Sequence, residues 1–337
     1  MTRRRMTALI GGLVLVLVAA GLVWGLWLRG DGGDDLGDRC QGSLAVDEAR
    51  EFFGGVELTA RGHDGDWAGY DSQWCSVWAK DHGNGPVLRL QIRPRAAYRA
   101  NGAGDEAIAT PIGYGWNGSF TTLHEPQAAV LLDCAGMPGK GLYVTAETTE
   151  RTEKLSAGQI LQVARLATET ARRAAAAHSC EGKPGGRPTT VDRTRETVQR
   201  AAAQAAGTCA GVVDAPTAAR LTVTTVSERP AGRALTEQCA LRRGKLGLFH
   251  MTAYYGPSAE QEMYLDGRYP GTAKDISKRR VECGGSLGTA YFKLVRTNDR
   301  APDGTSGPHG TSDPKELNRL LGAFSAASAA RHGCPAV

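Results

Sequence analysis

The sequence predicts an α+β protein: an N-terminal transmembrane helix, then two similar disulfide-stapled domains, each an antiparallel sheet with a short N-terminal and a long C-terminal helix. Three observations carry this reading. An apolar run without charge extends from Met6 to Leu28. All eight cysteines follow it, at Cys40, Cys75, Cys134, Cys180, Cys209, Cys239, Cys283 and Cys334. The order of elements around the first four recurs around the last four, and CAGMPGKGLYV from Cys134 aligns without a gap with CGGSLGTAYFK from Cys283.

The run from Met6 to Leu28 is long enough, at about 1.5 Å per residue, to cross a hydrocarbon core of roughly 30 Å. Arg3, Arg4 and Arg5 precede it, and Asp31, Asp34, Asp35 and Asp38 follow. That asymmetry places the N-terminus in the cytoplasm and the rest outside. A cleaved signal peptide is the competing reading, with Ala19-Ala20-Gly21 as a small-residue site. The continuation through Trp24 and Trp27, residues that favour a membrane interface, argues for an uncleaved anchor. No cysteine near the end of the run offers a lipidation site. An even cysteine count on the side expected to be oxidising reads as disulfides, and the absence of any C-x-x-C pair argues against zinc.

The predicted division is a cytoplasmic tip and anchor at 1–28, a flexible tether at 29–38, a first domain at 39–181, a linker with a spacer helix at 182–207 and a second domain at 208–337. The tether, GDGGDDLG, lacks the alternating oxygen ligands of a calcium loop. In the first domain a short helix over Val46 to Phe53 stops at Gly54-Gly55. Strands follow over Ser72 to Lys80 and Val87 to Arg93, the second alternating Leu88, Leu90 and Ile92 with polar residues. The stretch Ala96 to Gly118 reads as irregular. A hairpin pairs Ala128 to Asp133 with Leu142 to Thr148, and a helix from Ala157 to about Ala177 begins at a capping box of Ser156 and Gln159. In the second domain a helix lies near Pro216 to Leu221, with strands over Glu237 to Arg243 and Leu246 to Tyr255. A final helix is capped by Asp313, with Pro314 at its first position. A polar helix of about Thr190 to Ala206 is expected as the spacer. The four cysteines of each unit allow three pairings; the sequential one, Cys40 with Cys75, Cys134 with Cys180, Cys209 with Cys239 and Cys283 with Cys334, is expected because it would tie a helix terminus to a strand each time.

Cys40, the short helix ending in Gly54-Gly55, and Gln73-Trp74-Cys75-Ser76-Val77-Trp78 on a strand together resemble the uncharacterised domains of actinobacterial lipoproteins and envelope proteins. The likeness covers the first unit and extends to the second through Cys239-Ala240-Leu241-Arg242, which lacks the aromatic. The resemblance implies an α+β domain with an antiparallel sheet at the cell surface, here in tandem. It transfers no catalytic residue.

Charge divides the chain. Residues 30–180 hold 14 basic and 20 acidic side chains, whereas residues 181–337 hold 22 basic and 15 acidic. The basic second half is therefore expected to meet the first half, or an anionic envelope polymer or protein partner. An extracytoplasmic location argues against nucleic acid. The sharpest catalytic motif is Gly284 to Gly288, a G-x-S-x-G pattern around Ser286, but the residues after it alternate like a strand rather than open a helix. The histidines, His63, His82, His124, His178, His250, His309 and His332, form no H-x-H or H-E-x-x-H pattern.

Ligand-binding candidates are Trp74 and Trp78, which share strand parity, and Trp67 and Tyr70, which sit with His63, Asp64, Asp66 and Asp71 in a stretch that reads as a turn-rich connection between helix and strand and, alternatively, as a polar aromatic loop for a sugar or a cation. The chain thus reads as a single-pass, membrane-anchored binding, sensing or scaffolding protein of the cell envelope, without cofactor or metal and without enzymatic activity. The alternative is a hydrolase of wall glycans or esters.

Overall fold

Period-two patterning resolves into two antiparallel sheets, each covered on one face by a long helix. The computed structural model describes residues 36–67, 70–81, 83, 85–96, 109–193, 197–268, 275–297 and 313–335. The first sheet contains β1 (Leu58–Trp67), β2 (Tyr70–Ala79), β3 (Leu88–Pro94), β4 (Thr110–Pro111), β5 (Asn117–Thr121), β6 (Gln127–Asp133) and β7 (Gly141–Thr148), in the order β1-β2-β3-β7-β6-β5-β4. Helices α1 (Val46–Phe52) and α2 (Ala157–Ala177) lie on its inner face. Ser156 and Gln159 close a complete capping box on α2, satisfying backbone donors at the helix start. The buried stripe of α2 is rich in alanine, with Ala164, Ala167, Ala171 and Ala174, and it packs against Val77, Leu88, Leu90, Val130 and Val144 of the sheet.

The second sheet contains β8 (Val198–Ala201), β9 (Thr225–Glu228), β10 (Thr236–Arg243), β11 (Leu246–Tyr254), β12 (Ile276–Gly284) and β13 (Gly288–Arg296), ordered β12-β13-β11-β10-β9-β8. Its helices are α3 (Ala215–Arg220), α4 (Pro257–Arg268) and α5 (Pro314–His332). The order β1-β2-β3-β7-β6 of the first sheet recurs as β9-β10-β11-β13-β12 in the second. The disulfides recur with it. Cys40–Cys75 and Cys209–Cys239 tie the segment before a short helix to the second strand of each repeat. Cys134–Cys180 and Cys283–Cys334 tie the hairpin to the end of each long helix.

The expected α+β architecture built on a transmembrane helix is corrected. Among the described residues no helix is long and apolar enough to cross a membrane, because the exposed faces of α2 and α5 carry arginines and carboxylates. What is described is sheet-rich, and the run Met6 to Leu28 lies outside the described residues. The spacer helix is corrected as well. Val198–Ala201 is a strand paired with β9, and Ala202–Gln204 is a single 3-10 turn. Alternating charge without an apolar stripe gave a helix nothing to bury, and Arg200 instead bridges the buried Glu228 at 3.2 Å.

The Gly/Pro linker is strapped down rather than free. Trp116 Nε1 donates to Gly186 O at 2.7 Å, Arg165 Nε donates to Pro188 O at 2.8 Å, and Arg187 pairs with the buried Glu48 at 2.7 Å. Gly185 lies flat on the Trp116 ring, where a Cβ would come within 2.5 Å. Two more stretches differ from expectation. Leu58–Trp67, whose charges and glycines suggested a connection, is an edge strand held by ten residue pairs to β2. The stretch read as irregular contributes β4 and the start of β5.

The two repeats share a seam. The hydrophobic cluster of the second repeat takes in Ala129, Leu131 and Tyr143 from the outer face of the first sheet. Around it, Gly118 N donates to Arg233 O at 2.9 Å, Leu235 N donates to Ser119 Oγ at 2.8 Å, and Arg95 pairs with Glu260 at 2.8 Å. A surface this apolar would be costly to leave in water.

Candidate binding site

The β1–β2 hairpin carries the candidate site. The register sets Asp64 opposite Gln73 and Gly62 opposite Cys75, and the next strand places Ile92 and Leu90 beside them. Partners in an antiparallel ladder share a face, so these residues line one patch of the inner surface. A small pocket of about 100 Å³ opens there. Leu90, Ile92 and the Cys40–Cys75 disulfide make its apolar floor, Gly62 contributes no side chain, and Gln41, His63, Asp64, Gln73 and Trp74 complete the lining.

Two features of those polar groups are unusual. Gln73 Oε1 is buried without a hydrogen-bond partner. Gln41, just after the 3-10 turn Asp38–Cys40, sits at φ 54 in the left-handed region and donates its side-chain amide to Asp64. A residue with a Cβ pays about 1–2 kcal/mol for that backbone conformation. Strain and an unanswered acceptor in one concavity are the features that collect at ligand sites.

Trp74 and Trp78 face the opposite side of β2, each half-buried. The His63 ring stacks parallel to Trp74, with centroids 6.1 Å apart and planes within 5°. Trp67 and Tyr70 are paired at the ends of β1 and β2; their side chains lie outside the described residues. The structure therefore gathers Trp74, His63 and Asp64 at one hairpin and leaves Trp78 farther along it. Sequence reasoning missed Gln41, Gln73, Leu90 and Ile92. The available signal was strand parity: Gln73 is the polar member of an inward-facing set that otherwise holds Cys75, Val77 and Ala79.

A second concavity, lined by Phe52, Phe53, Val56, Pro86 and Leu155, is wider and more open, with Glu51, Glu150 and Lys154 at its rim. No unsatisfied polar group points to a ligand there.

The other sequence candidates have structural surroundings. Ser286 is fully buried in the seam, its backbone N–H donates to Asp133 Oδ1 at 2.7 Å, and its hydroxyl has no partner. A nucleophile needs a base at the hydroxyl and access for substrate, and this serine has neither among the described residues. His332 is buried between Ser328 O at 3.1 Å and Ala234 O at 2.9 Å, and stacks on Tyr255 at 3.6 Å. Burial pushes its pKa down against the opposing pull of Glu237. Glu237 is itself held by Ser328 and Arg331, so the cluster docks the C-terminal helix. Burial likewise lowers the pKa of His250. No group of metal-ligating side chains occurs among the described residues. In the second repeat Arg220, Lys278 and Lys293 are committed to Glu316, Asp266 and Glu262, which reduces the positive charge left for an anionic partner.

No family model, curated protein or solved structure matches this chain.

Proposed function

We propose that the chain is an extracytoplasmic binding protein of the cell envelope, in which two fused repeats hold a small-ligand pocket rigidly on the first sheet. Four disulfides support an oxidising compartment. One observation carries the binding reading: the pocket at the β1–β2 hairpin, lined by Gln73, whose buried Oε1 has no partner, and by Gln41, which sits at positive φ. The seam and the strapped linker serve this function by fixing the sheet that lines the pocket. The hydrolase alternative has less support, because the serine that suggested it lies sealed between the repeats.

The test is a thermal-shift screen of the full chain against amines, amino acids, sugars and wall fragments, repeated on Gly62→Leu. That substitution fills the pocket from its own wall. One ligand class is expected to raise the midpoint of the wild type and to lose its effect in the variant. A screen without such a class, or one whose ligands act equally on both proteins, overturns the reading.

A further inference from the structure

We propose that this pocket takes a primary ammonium group carried on a short alkyl chain, an inference that rests on the pocket being a ligand site at all. The polar inventory sets the chemistry of the head group. Gln73 offers a buried, unanswered acceptor. Asp64 offers a carboxylate, to which one N–H of the Gln41 amide already donates. The lining contains neither Lys nor Arg. A ligand must therefore bring N–H or O–H donors and tolerate a fixed negative charge.

An ammonium ion does both, with three donors and no acceptor. A carboxylate or phosphate would be repelled. A neutral sugar would draw nothing from the fixed charge of Asp64 and would set hydroxyls against an apolar floor. Charge favours the cation beyond the pocket too. The exposed Asp71 lies one step along β2 from Gln73, on the same face. The floor sets the tail: Leu90, Ile92 and the disulfide form an apolar base that suits methylene groups rather than hydroxyls.

The experiment is isothermal titration of the full chain with n-pentylamine, 1-pentanol and methyl glucoside. Pentylamine is expected to bind saturably while the other two give no signal. Asp64→Asn is expected to weaken pentylamine about tenfold or more, the usual effect of losing a charged hydrogen-bond partner. Gln73→Glu adds a second carboxylate and is expected to tighten binding, a gain that misfolding cannot imitate. Equal binding of pentylamine and pentanol would overturn the inference by showing that only the floor is read. Preferential binding of the glucoside, abolished by Gly62→Leu, would overturn it while leaving the binding function intact. Pentylamine binding that ignores both Asp64→Asn and Gln73→Glu places the amine elsewhere and also overturns it. If no compound in the wider screen responds to Gly62→Leu, the function itself fails.

Discussion

Leu131→Ala tests whether the two repeats are one cooperative body. Leu131 belongs by sequence to the first repeat, yet it is 1% exposed and packs within the hydrophobic cluster of the second. Its Cδ2 reaches so near Gly256 that a Cβ there would stand 2.7 Å away. Truncating a leucine this enclosed costs about 2–5 kcal/mol, because the transfer energy is lost and the cavity only partly closes. If the repeats were independent, Leu131 would sit on a solvated sheet face and the same change would cost less than about 0.5 kcal/mol. Native-state hydrogen exchange by mass spectrometry separates the two cases. With a shared seam, a loss of about 3 kcal/mol speeds the slowest amides of α2 and α5 together, by roughly a hundredfold. Acceleration confined to the first repeat, or no acceleration in either, would refute a seam that couples them.

Three further outcomes follow from the same physics. Gly185→Ala drives a methyl group into the Trp116 ring, 2.5 Å from the nearest ring atom, and is expected to cost about 1–3 kcal/mol in urea denaturation. Replacing Cys134 and Cys180 by alanine opens a loop whose ends are 46 residues apart; the chain-entropy model gives a loss of about 4 kcal/mol, measurable as a lower thermal midpoint. Acid should destabilise the chain below about pH 6.5, the ordinary His value. Burial depresses the pKa values of His250 and His332, so the unfolded chain binds more protons as the pH falls through that value. Urea midpoints should therefore drop between pH 7.5 and 5.5, and His250→Asn should flatten the slope.

Where the pattern was local it could be read from the sequence. The capping box at Ser156, the Asp313 cap with Pro314, and the alternation of Leu88, Leu90 and Ile92 each depend on neighbours a few residues away. Elements decided by distant partners could not be read in this way. Leu58–Trp67 is a strand because β2 offers it a ten-residue ladder, not because ARGHDGDW favours extension. Gly185 and Gly186 read only as part of a linker because the sequence does not show that Trp116 lies beneath them. The pocket was half legible: Asp64 and Trp74 stood out as polar and aromatic residues close together, but Gln41 joins them only through the fold of the Cys40 turn.

The duplicated hairpin shows the limit of an ungapped match. Aligned from their cysteines, Tyr143 falls opposite Phe292, yet Tyr143 faces the seam while Phe292 packs against Phe324 of α5. A register shift between Glu282 and Gly284 accounts for the difference, since one residue of slip moves every later side chain to the other face. The same shift explains Ser286. In the first repeat Asp133 ends its strand at the equivalent of Glu282. Asp133 reaches across the seam to Ser286 N, whereas Glu282 stays within its own hairpin and accepts from Thr289 Oγ1 at 2.7 Å. The two glycine-rich tips thus meet tip to tip: a Cβ on Gly141 would strike Ser286, and one on Gly288 would strike Arg95. Glycine at 141 is required by that close approach, and Gly284, Gly285 and Gly288 by backbone at positive φ. A nucleophile elbow and a packed seam impose the same demand, small residues around a serine at a sharp turn. What separates them is the strand that follows and the second copy of the hairpin, which carries Met137 where this one carries Ser286.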